Sequence, residues 1–188
     1  LLALKEFEIK AINVSAHGAS FVHVDESGKP VAPLYNYLKP FPENLKQTFY
    51  DTYGGETNFA QITASPVLGH LNSGMQLYWL KYERPEMFKK ITYSLHLPEY
   101  ISYLFSGLVA SGMTSIVCHT NLWDFTKKDY HAWVSKEAII NKLAPITPDS
   151  HTDKVLINNH PLNIGLGLHD SSAALIPYLQ YMTTPFVL

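Results

Sequence analysis

Apolar residues fall into short separate runs along the chain, and their spacing changes from one stretch to the next. Residues 9–15 (IKAINVS) are short, apolar and rich in branched side chains, which predicts a buried strand rather than a helix of that length. Two further runs, 21–24 and 31–34, flank the polar connector Asp25-Glu26-Ser27-Gly28-Lys29 and predict a hairpin, so that the chain opens as a small antiparallel strand group. Residues 40–57 are rich in Pro, Gly, Tyr and polar side chains without a steady period, which predicts loops and short turns. From Pro66 onward Leu68, Leu71, Met75, Leu77 and Trp79 stand near helical spacing, predicting a helix that ends before Pro85 with a shorter turn behind it.

A second helix is predicted over 97–105, stopped by Ser106 and Gly107. A third covers 131–143, with Trp133, Ala138, Ile139 and Leu143 at mixed spacings of three and four and Pro145 closing it. Residues 164–168 then read as a short strand and 171–181 as a helix directly behind it, with Asp170 at the junction. Residues 1–15 read as the end of a helix running into a strand, and 185–188 as the start of another strand, so a fragment of a longer protein is expected. The fold class from pattern alone is α/β or α+β.

Composition narrows the function classes. With 188 residues, 46% of them hydrophobic, the chain buries one sizeable core or two small ones without disulfides or metals. Charged residues are 16% and the net charge is -2, with Lys and Arg scattered, so no footprint for nucleic acid is present. The single cysteine, Cys118, has no partner for an internal disulfide, which points to a reducing compartment and a cytoplasmic protein. No apolar run reaches the roughly 18 residues needed to cross a bilayer, and no secretion signal is expected at the start.

The most informative junction is GLGLHDSSAAL, 165–175, where a glycine-bearing strand delivers Asp170 to the first turn of a helix. One reading makes Asp170 a helix cap whose carboxylate accepts backbone N–H bonds. The other places a carboxylate at the carboxyl end of a strand, where ligands bind in sheet-based folds, with Gly165 and Gly167 letting a backbone or a substrate come close. The second candidate is SAHGAS, 15–20, in which His17 and Gly18 follow the first strand. An imidazole there either contacts a ligand or satisfies local backbone groups. Trp79, Trp123 and Trp133 sit in patterned apolar settings, which suits core packing better than sugar stacking.

Several separate segments, in order, resemble the FGGY carbohydrate kinases, specifically the first domain after its opening phosphate-binding hairpin. INVSAHGASFVHVDESGKPVAPLYNY is similar to the family's strand, turn and hairpin, and MQLYWLKYERPEMFKK to its Trp-Leu-Lys, Pro-Glu helix. LPEYISYLFSG resembles the stretch before its Leu-Thr-Gly turn, HTNLWDF its Thr-x-Leu-x-Asp turn, and GLGLHDSSAAL its Gly-x-x-Asp-x-x-Ala-Ala segment. The resemblance implies an α/β, actin-like and ribonuclease H-like fold, a mixed sheet flanked by helices, with residues 1–188 as the sugar-side lobe of a two-domain kinase. It implies Asp170 as general base, His17 and Gly18 in a substrate-side turn, and a further substrate loop at 71–73 where either His70 or Asn72 points inward. Where many relatives carry Trp-Asn-Asp, this chain has Tyr35, Asn36, Tyr37 and Leu38, an acidic group fewer near the sugar. The family's phosphate hairpin and its adenosine-binding second domain are expected to lie outside these residues.

The implied reaction is transfer of the γ-phosphate of ATP, with Mg²⁺, to a hydroxyl of a ketose such as a ketopentose or deoxy-ketohexose. A carboxylate at a helix start, favoured as the anion by the dipole and N–H donors, would accept the hydroxyl proton. The partner is a small-molecule sugar, with a homodimer left open. Two other readings compete: a sugar sensor that keeps the lobe but has lost phosphoryl transfer, and a metal-dependent phosphohydrolase suggested by the adjacent His169 and Asp170. No Gly-x-Ser-x-Gly elbow occurs, which sets hydrolase triads aside.

Overall fold

The computed structural model describes residues 7–185. Its organising feature is an interrupted parallel ladder between the two ends of the chain. Strand β1 (Ala11–Ile12) pairs in parallel with β10 (His160–Gly165), and β2 (Ser15–Ala16) pairs in parallel with β11 (Leu168–His169). The expected strand over 9–15 is therefore present as two pieces, because the Asn13 side chain enters the ladder between them. Its Oδ1 accepts the N–H of Gly167 at 3.0 Å, and a Cβ on Gly165 would lie 2.5 Å from its Cγ. Gly167 adopts φ +99°, and a Cβ there would meet the Pro98 carbonyl group at 2.6 Å, so the β10–β11 link rests directly on the helix that begins at Leu97. The strand predicted over 164–168 is split at the same place.

Strand β9 (Thr152–Ile157) joins β10 in an antiparallel hairpin, giving a three-stranded sheet in the order β1, β10, β9. Its two-residue loop, Asn158 and Asn159, has φ of 51° and 64°. Positive φ at both positions is the type I′ geometry whose twist matches paired strands, and Asn tolerates it well. The predicted opening hairpin is corrected. Strand β3 (Phe21–Val24) pairs antiparallel with β4 (Tyr93–His96), and only an isolated bridge from Val24 to Pro30 remains of the second arm. The turn at 25–29 does form: Asp25 Oδ1 accepts the N–H groups of Ser27 and Lys29. Pro30 and Pro33 deny the following segment ladder donors, which leaves β3 free to take its partner from far along the chain.

The stretch expected to be loops carries two helices, α1 (Glu43–Thr52) and α2 (Glu56–Thr63), hinged at Gly54 and Gly55 with φ of 97° and 84°. The sequence signal was masked because few positions are buried and most of them are aromatic: Phe49, Tyr50 and Phe59 turn inward with Leu45 and Thr63. Helix α3 (Ser73–Glu83) follows a 3₁₀ turn at Gly69–Leu71, and Pro85 starts a separate helix, α4 (Pro85–Lys90). Helix α5 (Leu97–Ser106) ends as expected at Gly107, which is left-handed at φ 73°. Short elements follow: β5 (Ser111–Gly112), α6 (Met113–Ile116), β6 (Trp123–Asp124) and β7 (Asp129–Tyr130). The third predicted helix is broken into α7 (Ala132–Lys136) and a 3₁₀ turn (Ile139–Lys142), because Ala138 between them is left-handed at φ 56°. Strand β8 (Ile146–Thr147) pairs in parallel with β5, and helix α8 (Asp170–Tyr181) closes the described chain. No helix among the described residues is long and apolar enough to cross a membrane.

The core is aromatic and centred on Phe49, whose ring meets Tyr50, Tyr53, Phe59, Tyr78 and Trp133 at 4.9–5.1 Å. Trp133 is fully buried and its Nε1 donates to the Asn121 carbonyl at 2.7 Å, whereas Trp79 and Trp123 are partly buried against the same cluster. Glu137 ties three elements together on the rim of this core, accepting from Tyr53 Oη, Lys81 Nζ and Tyr82 Oη at 2.5, 2.5 and 2.8 Å. Replacing it with alanine removes the acceptor of two tyrosine hydroxyls and the counter-ion of Lys81, which keeps only the Glu137 carbonyl at 2.9 Å, so Glu137→Ala should cost about 1–3 kcal/mol in a urea titration.

Several histidines are packed as neutral side chains. His23 Nδ1 meets Ser94 Oγ at 2.8 Å, and His96 Nε2 meets Ser73 Oγ at 2.9 Å while its ring stacks on Phe21 at 4.0 Å. Burial pushes both down to about 3. The unfolded chain takes up these protons from about 6.5 and the fold does not, so stability falls as the pH drops from about 6.5 toward 3. Glu99 acts in the opposite sense: burial raises its carboxyl from 4.5 to about 7, which favours the fold as the pH falls across that window. Two histidines outweigh one carboxyl, and His70, His119, His131 and His169, all lowered by burial, add to them. The urea midpoint should therefore decline as the pH is lowered from neutral, and more steeply below about 4.5, where the Glu99 contribution has saturated. A flat midpoint across that range would show that these rings are not buried as neutral groups.

Candidate functional site

The parallel register of β2 with β11 sets Leu168 beside Ser15 and His169 beside Ala16. The turn that leaves β2 and the junction that opens α8 are thereby brought side by side from opposite ends of the chain. The two sequence motifs touch: a Cβ on Gly18 would lie 2.2 Å from Cδ2 of His169 and 3.0 Å from its Nε2. Gly18 is thus demanded by the imidazole lying on it rather than by its own backbone conformation. His17, just before it, turns its ring to Tyr37 at 5.7 Å, and its Nδ1 is buried without a hydrogen-bond partner.

Asp170 is the first residue of α8, and the capping position belongs to His169, whose side chain makes no cap hydrogen bond. The expectation that the Asp170 carboxylate occupies the cap is corrected by one position. It still serves the helix start, because Oδ1 accepts the Ser171 N–H at 2.7 Å. The side chain is 53% exposed, and Oδ2 has no hydrogen-bond partner among the described residues. His169 Nδ1 lies 3.4 Å from Oδ1 but is itself unpaired. Burial pushes the His169 pKa down, with Asp170 pulling it back and His119 and His17 pushing further. The ring beside the carboxylate is therefore a neutral one. Thr114 Oγ1 accepts the His169 N–H at 3.3 Å and fixes the backbone at the junction.

His119 completes the group, edge-on to His169 at 6.1 Å, with its Nδ1 3.2 Å from Cys118 Sγ. It holds φ of 41°, an uncommon conformation for a side chain of this kind. Asn72 supports it. The Asn72 amide donates to the His119 carbonyl at 2.7 Å and to the Pro66 carbonyl at 3.0 Å, and its oxygen accepts the Leu68 N–H at 2.8 Å. Asn72 is fully buried by these bonds, so it braces the loop that carries His119. His70 lies apart from Asp170, its ring against Phe41 at 4.8 Å and Trp79 at 5.3 Å, on the wall of a separate groove. The structure thus gathers His17, Gly18 and Asp170, links Asn72 to them through His119, and sets His70 elsewhere. His119 and the positional role of His169 were not anticipated. The available signal was a histidine opening HTNLWDF and another standing directly before DSSAAL.

Comparison with known proteins matches most of the chain to one family. The model of the FGGY family of carbohydrate kinases, N-terminal domain, covers residues 2–166. A rhamnulokinase of Halalkalibacterium halodurans is 25% identical over 118 residues, which is 63% of this chain and 25% of that protein. A carbohydrate kinase from Novosphingobium aromaticivorans superposes with a TM-score of 0.78 at 25% identity, over 92% of this chain and 38% of the other. Ligand-bound xylulose kinase from Lactobacillus acidophilus superposes at 0.74 and 15% identity, over 93% and 37%. The fold is that of these sugar kinases, actin-like and ribonuclease H-like, and the chain spans between a quarter and two-fifths of the length of these relatives.

The contact between Gly18 and His169 makes a direct test of the site's construction. Gly18→Ala should destabilise the fold by about 1–3 kcal/mol through overpacking. In a His169→Ala background the same change should cost less, leaving a coupling of about 1–2 kcal/mol in a double-mutant cycle. Additive costs would mean that the two motifs do not rest on each other.

Proposed function

The chain belongs to the FGGY family of carbohydrate kinases, and from that premise we propose that it forms the sugar-side lobe of an ATP-dependent kinase in which Asp170 is the general base. The observation that carries this reading is the state of the Asp170 carboxylate. One oxygen is engaged by the start of α8, and the other has no partner in a side chain that is more than half exposed. A carboxylate fixed at one oxygen and open at the other is suited to accept the proton of a hydroxyl as it attacks phosphorus. His17 and Gly18, on the turn beside it, are proposed to line the sugar, with Tyr37 closing that side. Asn72 acts at one remove by holding the His119 loop.

The residues fit a shared site rather than a complete one. ATP with Mg²⁺ supplies the phosphoryl group, and the groups that hold it are proposed to come from an adenosine-binding half paired with this lobe. This lobe contributes the base, the sugar-side turn and the walls that exclude water from the acceptor hydroxyl. The proposed acceptor is a ketose, a ketopentose or a deoxy-ketohexose, in line with the names of the rhamnulokinase and xylulose kinase relatives. The phosphohydrolase reading finds no support, because among the described residues no three His, Cys, Asp or Glu side chains are placed to hold one metal ion.

The test is ATP-dependent phosphorylation of a panel of ketoses and polyols by the full-length protein, followed by coupled ADP release. Asp170→Asn should lower the rate with the best sugar by about 10²–10⁴. Its melting temperature should hardly change, because the side chain is exposed and the amide oxygen can still accept the Ser171 N–H. No stimulation by any sugar, with ATP still bound, would place the protein among sugar sensors instead.

A further inference from the structure

We infer that a groove on the far side of the Tyr35–Tyr37 segment from Asp170 binds a small organic anion of the phosphate-monoester kind. The groove encloses about 710 Å³, within the roughly 300–1,000 Å³ that small-molecule sites occupy, and neither His17 nor Asp170 lines it. Its lining includes Tyr35, Asn36, Lys39, His70, Trp79 and Arg84.

Three features select the chemistry. Charge comes first: Lys39 and Arg84 both line the groove, neither forms an ion pair among the described residues, and no Asp or Glu lines it. Two cations without a counter-ion favour an anion, and a guanidinium presents the planar donor pair that suits phosphate or carboxylate. Arg84 is close enough to Tyr35 for its charge to act on the phenol. The second feature is an aromatic wall, in which Tyr35 meets Trp79 edge-on at 5.2 Å and His70 meets Trp79 edge-on at 5.3 Å. That surface takes the apolar body of a ligand that inorganic phosphate lacks. The third is His70 itself, 7% exposed, with a buried Nδ1 that has no partner. Its ring, set between Phe41 and Trp79, makes the groove wall rigid and adds no negative charge to it.

The site is separate from the sugar-side turn, since Tyr37 faces His17 while Tyr35 faces Trp79. Binding here therefore needs neither ATP nor sugar, and its failure leaves the kinase reading untouched.

Phenyl phosphate is the probe, titrated by calorimetry beside inorganic phosphate and phenol. Phenyl phosphate should bind saturably, and each half-probe more weakly. The double variant Arg84→Gln, Lys39→Gln, which changes two exposed residues, should weaken phenyl phosphate about tenfold or more. Asp170→Asn should leave binding as it is. The inference falls if phenyl phosphate shows no saturation, if the double variant binds it equally well, or if phosphate alone binds as tightly. It falls equally if Asp170→Asn abolishes binding, which would place the ligand beside Asp170.

Discussion

The imidazole of His169 lying on Gly18 is the contact through which the two ends of the chain become one site. It exists because β2 and β11 run parallel in a fixed register, and that register is held by a side chain rather than by a long ladder. Asn13 reaches into the gap between the paired pieces and takes the Gly167 N–H, where a continuous strand would have placed a backbone carbonyl. The glycines around it are there for space. Gly165 makes room for Asn13 and Gly167 for the first turn of α5, so each pins the position of the next element. A one-residue slip would bury the wrong faces and lift Asp170 away from the turn that holds His17. The placement of the candidate base thus depends on a few close approaches rather than on an extensive sheet.

Around this seam the fold tolerates an unusual amount of buried polarity. Histidines 23 and 96, serines 73 and 94, and Glu99 are all nearly inaccessible. They are sustained by being neutral and by short hydrogen bonds between elements, as in the pairing of His96 with Ser73 across β4 and α3. The arrangement favours one packing over its neighbours, since a shift would break the bonds His23–Ser94 and His96–Ser73 in an apolar interior. It also concentrates imidazoles near Asp170 without adding positive charge there at neutral pH, because burial keeps His169 and His119 deprotonated.

How much of this was legible in the sequence depended on how local the cause was. The end of α5 at Gly107, the separate start of α4 at Pro85 and the strand-to-helix junction at Asp170 all follow from residues close by, and all were readable. The partner of β3 was not, because nothing near Phe21 specifies β4, and the polar turn at 25–29 mimics a hairpin whose second arm the prolines prevent. Helices α1 and α2 were hidden by an aromatic core that fills few positions with large rings. The break at Ala138 is set by tertiary packing, with no Gly or Pro to announce it. For the site, motif order supplied the family and brought His17, Gly18 and Asp170 forward. The part played by Asn72 and His119 depends on a bond between loops far apart in sequence, which no local pattern encodes.

The segment from Pro33 to Pro42 is where these threads meet. It carries no ladder, and its internal bonds are the short turn contacts around Asn36. Its position is consequently set by what its side chains touch on either side: Tyr37 against His17 toward the sugar-side turn, Tyr35 against Trp79 toward the groove. The two tyrosines are two residues apart, with their rings against different partners. A ladder would have fixed it against either neighbour. Without one, Tyr37 and Tyr35 hold it through ring contacts to the two neighbours.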